Sequence, residues 1–261
     1  MNRRHFLPIL PAAALLAGCK QDTTPKLKVG MEASYPPFEF KNENGELDGV
    51  DVRIAEALAA HLGLKLEISE YAFAGIIDAL KGNQIDCIIS AMTATDERRK
   101  SIDFSDAYVF TAIAMLVHKD APLQSPEDLK KPGLRIVAKV GTTGESYTRE
   151  HLPQAKLRVL DEEGNCAGEV SKNLADVFIY DQLSIYGHWE KHKETTRAIL
   201  TPIREEYWAV GIKKGNDALR AKVNAFIKDF RDKGELTKLA DRYLVKERKL
   251  LEGMGAPFIF R

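Results

Sequence analysis

The chain has 261 residues, 44% of them hydrophobic, enough for one large or two ordinary domains with proper cores. Lysine plus arginine and aspartate plus glutamate each number 38, so the formal net charge is zero and no basic surplus invites a phosphate backbone. Nucleic acid is therefore excluded as a partner class, and the six scattered histidines form no metal-ligand pattern.

Asn2-Arg3-Arg4-His5 makes a basic start, Phe6 to Leu16 is an apolar stretch too short for a stable bilayer anchor, and Leu16-Ala17-Gly18-Cys19 closes it. This segment resembles a lipoprotein signal peptide, which implies cleavage after residue 18, diacylation of Cys19 and a polar tether over 19–25. A plain secretory cut nearby would leave Cys19 without a role. Arg3-Arg4-His5-Phe6-Leu7 also resembles a twin-arginine export signal, and either route takes the protein out of the cytoplasm.

Lys26 to Met31 alternates as a first strand and delivers Glu32 to Phe40, where Pro36-Pro37 rules out continued helix or central strand. Val52, Ile54, Ala55, Leu58, Ala59 and Leu62 recur at helical spacing and stop at Gly63. Leu64 to Ser69 reads as a second strand and Phe73 to Leu80 as a short helix, with Phe73 placed as a hydrophobic staple. Ile85, Cys87, Ile88 and Ile89 form a buried run of the parallel-sheet kind, with Ser90 and Thr93 at its carboxyl end, where open α/β sheets bind ligands. Thr95 or Asp96 caps a short helix carrying Arg98, a planar fork able to grip a carboxylate through two hydrogen bonds.

Phe110 to Val117 is an apolar strand, and Ser125-Pro126-Glu127-Asp128 is a helix start with a Ser cap and Pro in the first helical position. Arg135 to Val140 is another buried strand, opening into Gly141-Thr142-Thr143-Gly144, a turn whose backbone N–H groups and following helix end suit an anion. That turn matches neither a phosphate-cradling P-loop nor a dinucleotide fingerprint. Gln84-Ile85-Asp86-Cys87-Ile88-Ile89-Ser90 is echoed by Leu174-Ala175-Asp176-Val177-Phe178-Ile179-Tyr180-Asp181, so two similar α/β lobes face one another, each offering polar groups at a strand end. Asp181 then serves as a carboxylate for an ammonium group, as a cap for a helix over Gln182 to Trp189, or as both. Glu206 to Ile212 returns as a strand, helical stripes follow through Phe230 and Tyr243, and the tail from Leu250 to Arg261 packs back on the first lobe.

Thr93-(x)4-Arg98 followed by Asp103-Phe104-Ser105-Asp106-(x)-Tyr108 resembles the signature of the polar amino-acid binding proteins that feed bacterial ABC importers. With the Glu32 to Phe40 loop, Phe73, the Gly141 turn and Asp181, the resemblance spans about residues 27–246. It implies a two-lobed α/β fold of the type II periplasmic binding kind, each lobe a mostly parallel sheet flanked by helices, joined by two crossing hinge strands. Lobe 1 would comprise 26–112 and 206–261, and lobe 2 would comprise 113–205. Cys87 and Cys166 would then fall in different lobes, which argues against a disulfide between them. The family usually has Gly-Lys before Ala-Asp, where this chain has Lys172-Asn173-Leu174.

The resemblance also implies a site without catalysis, metal or cofactor. Arg98, Thr93, Ala91, Gly141, Thr142 and Thr143 would take an α-carboxylate, Asp181 the α-ammonium, and Glu32, Tyr35 and Phe73 the side chain. One acid with two aromatic faces suits a cationic side chain, so arginine or lysine is expected, with glutamine as the neutral alternative. On its residues alone, Glu32 could instead cap a backbone turn. The implied partners are a free amino acid, an ABC permease with its ATPase, and a membrane through the lipid on Cys19. The protein would be a monomer in the periplasm or on the outer cell surface. The rival class is a dehydratase-like enzyme on the same fold.

Overall fold

The computed structural model describes residues 24–255 and 258–260, so the signal segment and Cys19 lie outside the described residues. The first half runs β1 (Lys26–Met31), β2 (Ser34–Tyr35), β3 (Glu39–Lys41), β4 (Leu47–Asp48), α1 (Val50–Leu62), β5 (Lys65–Glu70), α2 (Ile76–Lys81), β6 (Cys87–Ile88), α3 (Asp96–Ser101) and β7 (Ile102–His118). The second runs β8 (Arg135–Lys139), α4 (Thr143–His151), β9 (Lys156–Leu160), α5 (Glu163–Ser171), β10 (Val177–Asp181), α6 (Gln182–His192), β11 (Thr196–Lys213), α7 (Asp217–Asp232), α8 (Glu235–Tyr243) and α9 (Val245–Gly253).

One eight-stranded sheet carries the order β5-β1-β6-β11-β7-β10-β8-β9, and β2-β3-β4 form a small second sheet. Strands β7 and β11, of 17 and 18 residues, run antiparallel through the middle and serve both halves. Parallel strands β5, β1 and β6 join β11 at Gly211 and Ile212, whereas the parallel trio β10, β8 and β9 joins β7 from Ile113 to Val117. Between Ile199 and Arg204 the register of β11 against β7 breaks, the bulge expected where a ladder changes direction. Both strands are longer than their apolar runs predicted, because exposed or half-exposed residues such as Asp106, Arg204 and Glu205 interrupt the pattern without interrupting the pairing.

The internal repeat is a structural one. Asn83 and Asn173 both sit at positive φ, 59° and 56°, and close equivalent turns by donating to Leu80 and Val170 carbonyls. Asp86 then accepts from the Lys28 backbone N–H at 2.8 Å, and Asp176 from that of Arg135 at 2.8 Å. Each Asp thus caps the start of the neighbouring parallel strand, which explains why Asp precedes each buried run. Asn173 adopts the left-handed conformation that Asn tolerates, so the departure from Gly-Lys leaves the turn intact.

Helices α1, α7 and α8 cover one face of the β1 side with Ile54, Leu58, Val223, Phe226 and Leu236, while Ile76, Leu80, Ile102 and Phe104 close the other. On the β8 side Leu129, Leu134, Ile136 and Leu152 form a separate cluster. The Ser125 start yields only a 3-10 turn, Pro126–Lys130, because Pro132 forbids helical backbone at Lys131. Cys87 and Cys166 are buried and free. In the tail, Ile259 is buried and its carbonyl accepts from the Phe110 N–H at 2.8 Å, so the segment lies on crossing strand β7.

Helix α4 owes its position to Gly144, where an added Cβ would meet the Ile179 carbonyl oxygen at 2.1 Å. Gly144→Ala should therefore destabilise the protein by about 1–3 kcal/mol in urea unfolding, the usual cost of overpacking. An unchanged midpoint would show that α4 can step away from β10 freely.

Candidate functional site

At the carboxyl ends of β1, β6, β8 and β10 the two halves enclose a cavity of about 40 Å³. Its wall includes Glu32, Tyr35, Phe73, Ala91, Thr93, Arg98, Thr142, Thr143 and Asp181, so nine of the ten binding residues expected from sequence converge on it. Gly141, the tenth, is not part of the wall but reaches Arg98 through its carbonyl at 3.0 Å. Glu39, Ser90, Tyr180 and Glu206 complete the lining.

Arg98 stands on α3, whose start is capped by Thr95, with the hydroxyl accepting from the Arg98 N–H. Its Nη1 donates to the Thr93 carbonyl at 2.8 Å and its Nη2 to the Gly141 carbonyl, so the guanidinium ties one half of the sheet to the other. The Arg98 Cζ lies 5.3 Å from the centre of the Phe73 ring, a cation–π contact that gives Phe73 a role beyond its own helix. Burial lowers the Arg98 pKa to about 10, which still leaves it charged at neutral pH. Two of five N–H donors are engaged by these carbonyls, and the remainder are available to an anion.

The threonine hydroxyls are already committed. Thr93 Oγ1 and Thr143 Oγ1 both donate to Glu206 Oε2, at 2.8 and 2.9 Å. Glu206 Oε1 accepts from Arg204 at 2.8 Å, and the residue is only 4% exposed. Backbone pairing of the 92–94 loop with β11, Ala209 N–H to Met92 and Ala94 N–H to Tyr207, sets Glu206 beside Thr93. Thr142 turns inward, its hydroxyl donating to the Lys139 carbonyl at 2.7 Å, and Gly141 takes the positive φ of 74° that lets the turn pass close to Ala74.

Asp181 is both a pocket carboxylate and the cap of α6. Its Oδ1 accepts from Leu183 and Ser184 N–H groups, and its Oδ2 from the Thr111 hydroxyl at 2.7 Å. Burial nevertheless raises its pKa to about 6. Glu32 faces the Phe73 backbone N–H at the start of a 3-10 turn, Phe73–Gly75, and also serves as a pocket carboxylate. It accepts from the buried Lys139 ammonium at 2.6 Å, a second tie across the cleft, and burial raises its pKa against the pull of that lysine.

Behind the wall, Ser90 accepts from the Glu32 N–H and donates to Glu39 Oε1 at 2.8 Å. Asp51 Oδ2 accepts from Ala91 N–H and the Tyr108 hydroxyl, both at 2.8 Å. Burial and mutual repulsion push the Glu39 carboxyl well above the ordinary range, so it stays protonated while Asp51 takes the stronger donors. Ala91 holds φ 45°, an unusual conformation for a side-chain-bearing residue, and its N–H is thereby aimed at Asp51. Tyr35 packs against Phe38, Trp208 and Tyr180, at centroid distances of 5.6, 5.9 and 6.0 Å, forming an aromatic box on one side.

Sequence reasoning missed Lys139, Glu39, Tyr180 and Glu206. A signal existed for Lys139, since a lysine inside the buried run Arg135 to Val140 requires a carboxylate partner. Nothing local marked Glu206, which read as one more charge at a strand start. Among the described residues no cluster of His, Cys, Asp or Glu is arranged to hold a metal ion, and no helix is long and apolar enough to cross a membrane.

The profile of the family described as bacterial extracellular solute-binding proteins, family 3, matches residues 27–246. The chain is 29% identical over 219 residues to the L-cystine-binding protein TcyJ of Escherichia coli (strain K12), covering 83% of this chain and 82% of that protein. It is 32% identical over 228 residues to the arginine-binding extracellular protein ArtP of Bacillus subtilis (strain 168), covering 85% and 88%. Among solved structures, the ancestral amino acid-binding protein AncCDT-1, described as a precursor of cyclohexadienyl dehydratase, superposes with a TM-score of 0.75 at 34% identity, covering 84% of this chain and 94% of that one.

The Glu32–Lys139 pair supplies a test of the site's electrostatics. Lys139→Met leaves a buried carboxylate uncompensated and should cost about 3 kcal/mol or more of stability at pH 7. The deficit should shrink as pH falls through the raised pKa of Glu32, because the neutral acid no longer needs the ammonium. Chemical denaturation at pH 7 and pH 4 checks this, and an equal deficit at both would show that the charge of Glu32 is not what Lys139 serves.

Proposed function

Since this chain belongs to the family 3 bacterial extracellular solute-binding proteins, amino-acid carriers of ABC importers, we propose that its own ligand is a cationic amino acid, arginine or lysine. The observation that carries this reading is the lining of the cavity, where Glu32, Glu39, Asp181 and Glu206 stand with Arg98, and where Lys139 pairs with Glu32 and Arg204 with Glu206 but no cation of the protein pairs with Asp181 or Glu39 among the described residues. A buried surplus of acids costs free energy unless a cation arrives to meet it. The ligand's ammonium would go to Asp181, its carboxylate to the donors Arg98 has left, and its side chain along Phe73 and Tyr35 toward Glu32 and Glu39.

A cavity of about 40 Å³ holds a few waters rather than an amino acid, so loading requires the halves to part at the crossing strands. We take lobe 1 as 26–112 with 206–261 and lobe 2 as 113–205, because β7 and β11 are the strands shared by both halves. We read the site as a binder rather than a dehydratase-like enzyme because the matched family is one of solute carriers and because Thr111, Leu183 and Ser184 hold Asp181 in place as a partner for an ammonium. The role is therefore binding and delivery to a permease with its ATPase, without chemistry. Export and lipidation at Cys19 complete the proposal, supported by Leu16-Ala17-Gly18-Cys19 behind the apolar stretch.

Isothermal titration against arginine, lysine, glutamine, cystine and glutamate tests the ligand class. Arginine or lysine should bind at least tenfold tighter than glutamine, and glutamate should not bind. Tight binding of glutamate or of an aliphatic amino acid would overturn the reading. Asp181→Asn should weaken the preferred ligand by about a hundredfold, the usual scale for removing one partner of a buried charge pair.

A further inference from the structure

The two hydroxyls best placed to receive a ligand carboxylate are already donating to a carboxylate of the protein itself. Glu206 Oε2 sits 2.8 Å from Thr93 Oγ1 on one side of the cleft and 2.9 Å from Thr143 Oγ1 on the other. Its second oxygen is held by Arg204, whose guanidinium also lies 5.8 Å from the Tyr147 ring centre and is thereby steered toward Glu206. The group is nearly fully buried and its negative charge is felt by Arg98. Three donors converge on Glu206, the complement that a bound carboxylate would need.

We infer that Glu206 is an internal occupant of the carboxylate seat, so that this protein takes cationic amines lacking an α-carboxylate as well as amino acids. The inference rests on the proposed cationic ligand and names a further ligand class for the same site. A ligand carboxylate reaching for Thr93 and Thr143 would have to displace Glu206 and leave Arg204 alone with it, so only the N–H groups that Arg98 has left reward its entry. A carboxylate-free amine keeps Glu206 where it is, meets Asp181 with its ammonium, and finds Glu206 as an additional counter-charge. The same contacts fasten the two halves together without any ligand, because Thr93 and Thr143 come from opposite sides of the cleft.

The test compares each amino acid with its own decarboxylated counterpart: arginine with agmatine, lysine with cadaverine, glutamine with 4-aminobutanamide. In the wild type the amine should bind within about tenfold of the amino acid. Glu206→Ala vacates the seat, and the amino acid should then be preferred by a hundredfold or more. Millimolar acetate added to that variant should refill the seat, strengthening amine binding and weakening amino-acid binding. Glu206→Gln, isosteric and without charge, guards against misfolding of the alanine variant and should give an intermediate preference. A wild type that prefers the amino acid by a hundredfold or more, with a ratio that Glu206→Ala leaves unchanged, would overturn the inference. If glutamine rather than arginine binds tightest, the cationic reading falls while the glutamine pair still decides the role of Glu206. If no amino acid or amine binds, both fall.

Discussion

The junction between the two halves buries more acid than base, and the local structure there is arranged to tolerate it. An ionised carboxylate taken out of water costs several kcal/mol unless donors replace the solvent, so each acid at the cleft has its own remedy. Glu32 has Lys139, Glu206 has two threonines and Arg204, Asp181 has Thr111 and the first turn of α6, and Asp51 has Tyr108 and the Ala91 N–H. Glu39 accepts from Ser90 and keeps its proton beside Asp51. The positive φ of Ala91 follows from the same demand, since it turns that N–H onto Asp51.

Several of these remedies reach across the cleft. Lys139 to Glu32, Arg98 to the Gly141 carbonyl, and Thr143 to Glu206 each join elements from different sides of the sheet. In the proposed opening and closing of the cleft they would favour the closed arrangement without a ligand, and a ligand would shift the population only by the amount that it prefers the closed form. Polar contacts suit this role better than apolar ones, because water can replace them when the cleft opens. Apolar packing is both local and shared: Ile76 with Ile102, and Leu129 with Ile136, form clusters of their own, while a larger cluster runs from Val29 and Leu58 through Trp208 to Phe178 and Val170.

The architecture was legible because buried parallel strands write themselves as apolar runs. The echo of Ile85-Asp86-Cys87 in Ala175-Asp176-Val177 announced the two equivalent strand ends, and the capping bonds of Asp86 and Asp176 show the physical reason. Arg98, Thr93 and Asp181 stood out at strand ends and helix starts, but it was the family resemblance that proposed them as site residues, and all three line the cavity. The lengths of β7 and β11 could not, since strands half exposed at a junction lose the alternation on which such reading depends. Partners distant in sequence were equally hidden. Glu32 and Lys139 are 107 residues apart, and Thr93 and Glu206 are 113 apart, so no local pattern links them. Glu32 was identified as a pocket acid, but its counter-charge emerges only from the fold.

If surplus buried acid is what the ligand answers, binding must release protons. Asp181, raised to about 6 in the free protein, holds a proton in part at slightly acidic pH. A bound ammonium lowers that pKa and expels the proton, so release is largest between the bound and free values and vanishes well above the free one. The direct measurement is isothermal titration of the tightest-binding amino acid at about pH 5.5 in two buffers of different ionisation enthalpy. Net release of protons, from Asp181 first, is the predicted result. Identical heats in both buffers would contradict the account, because they would mean that the ligand meets no protonated acid in the cleft.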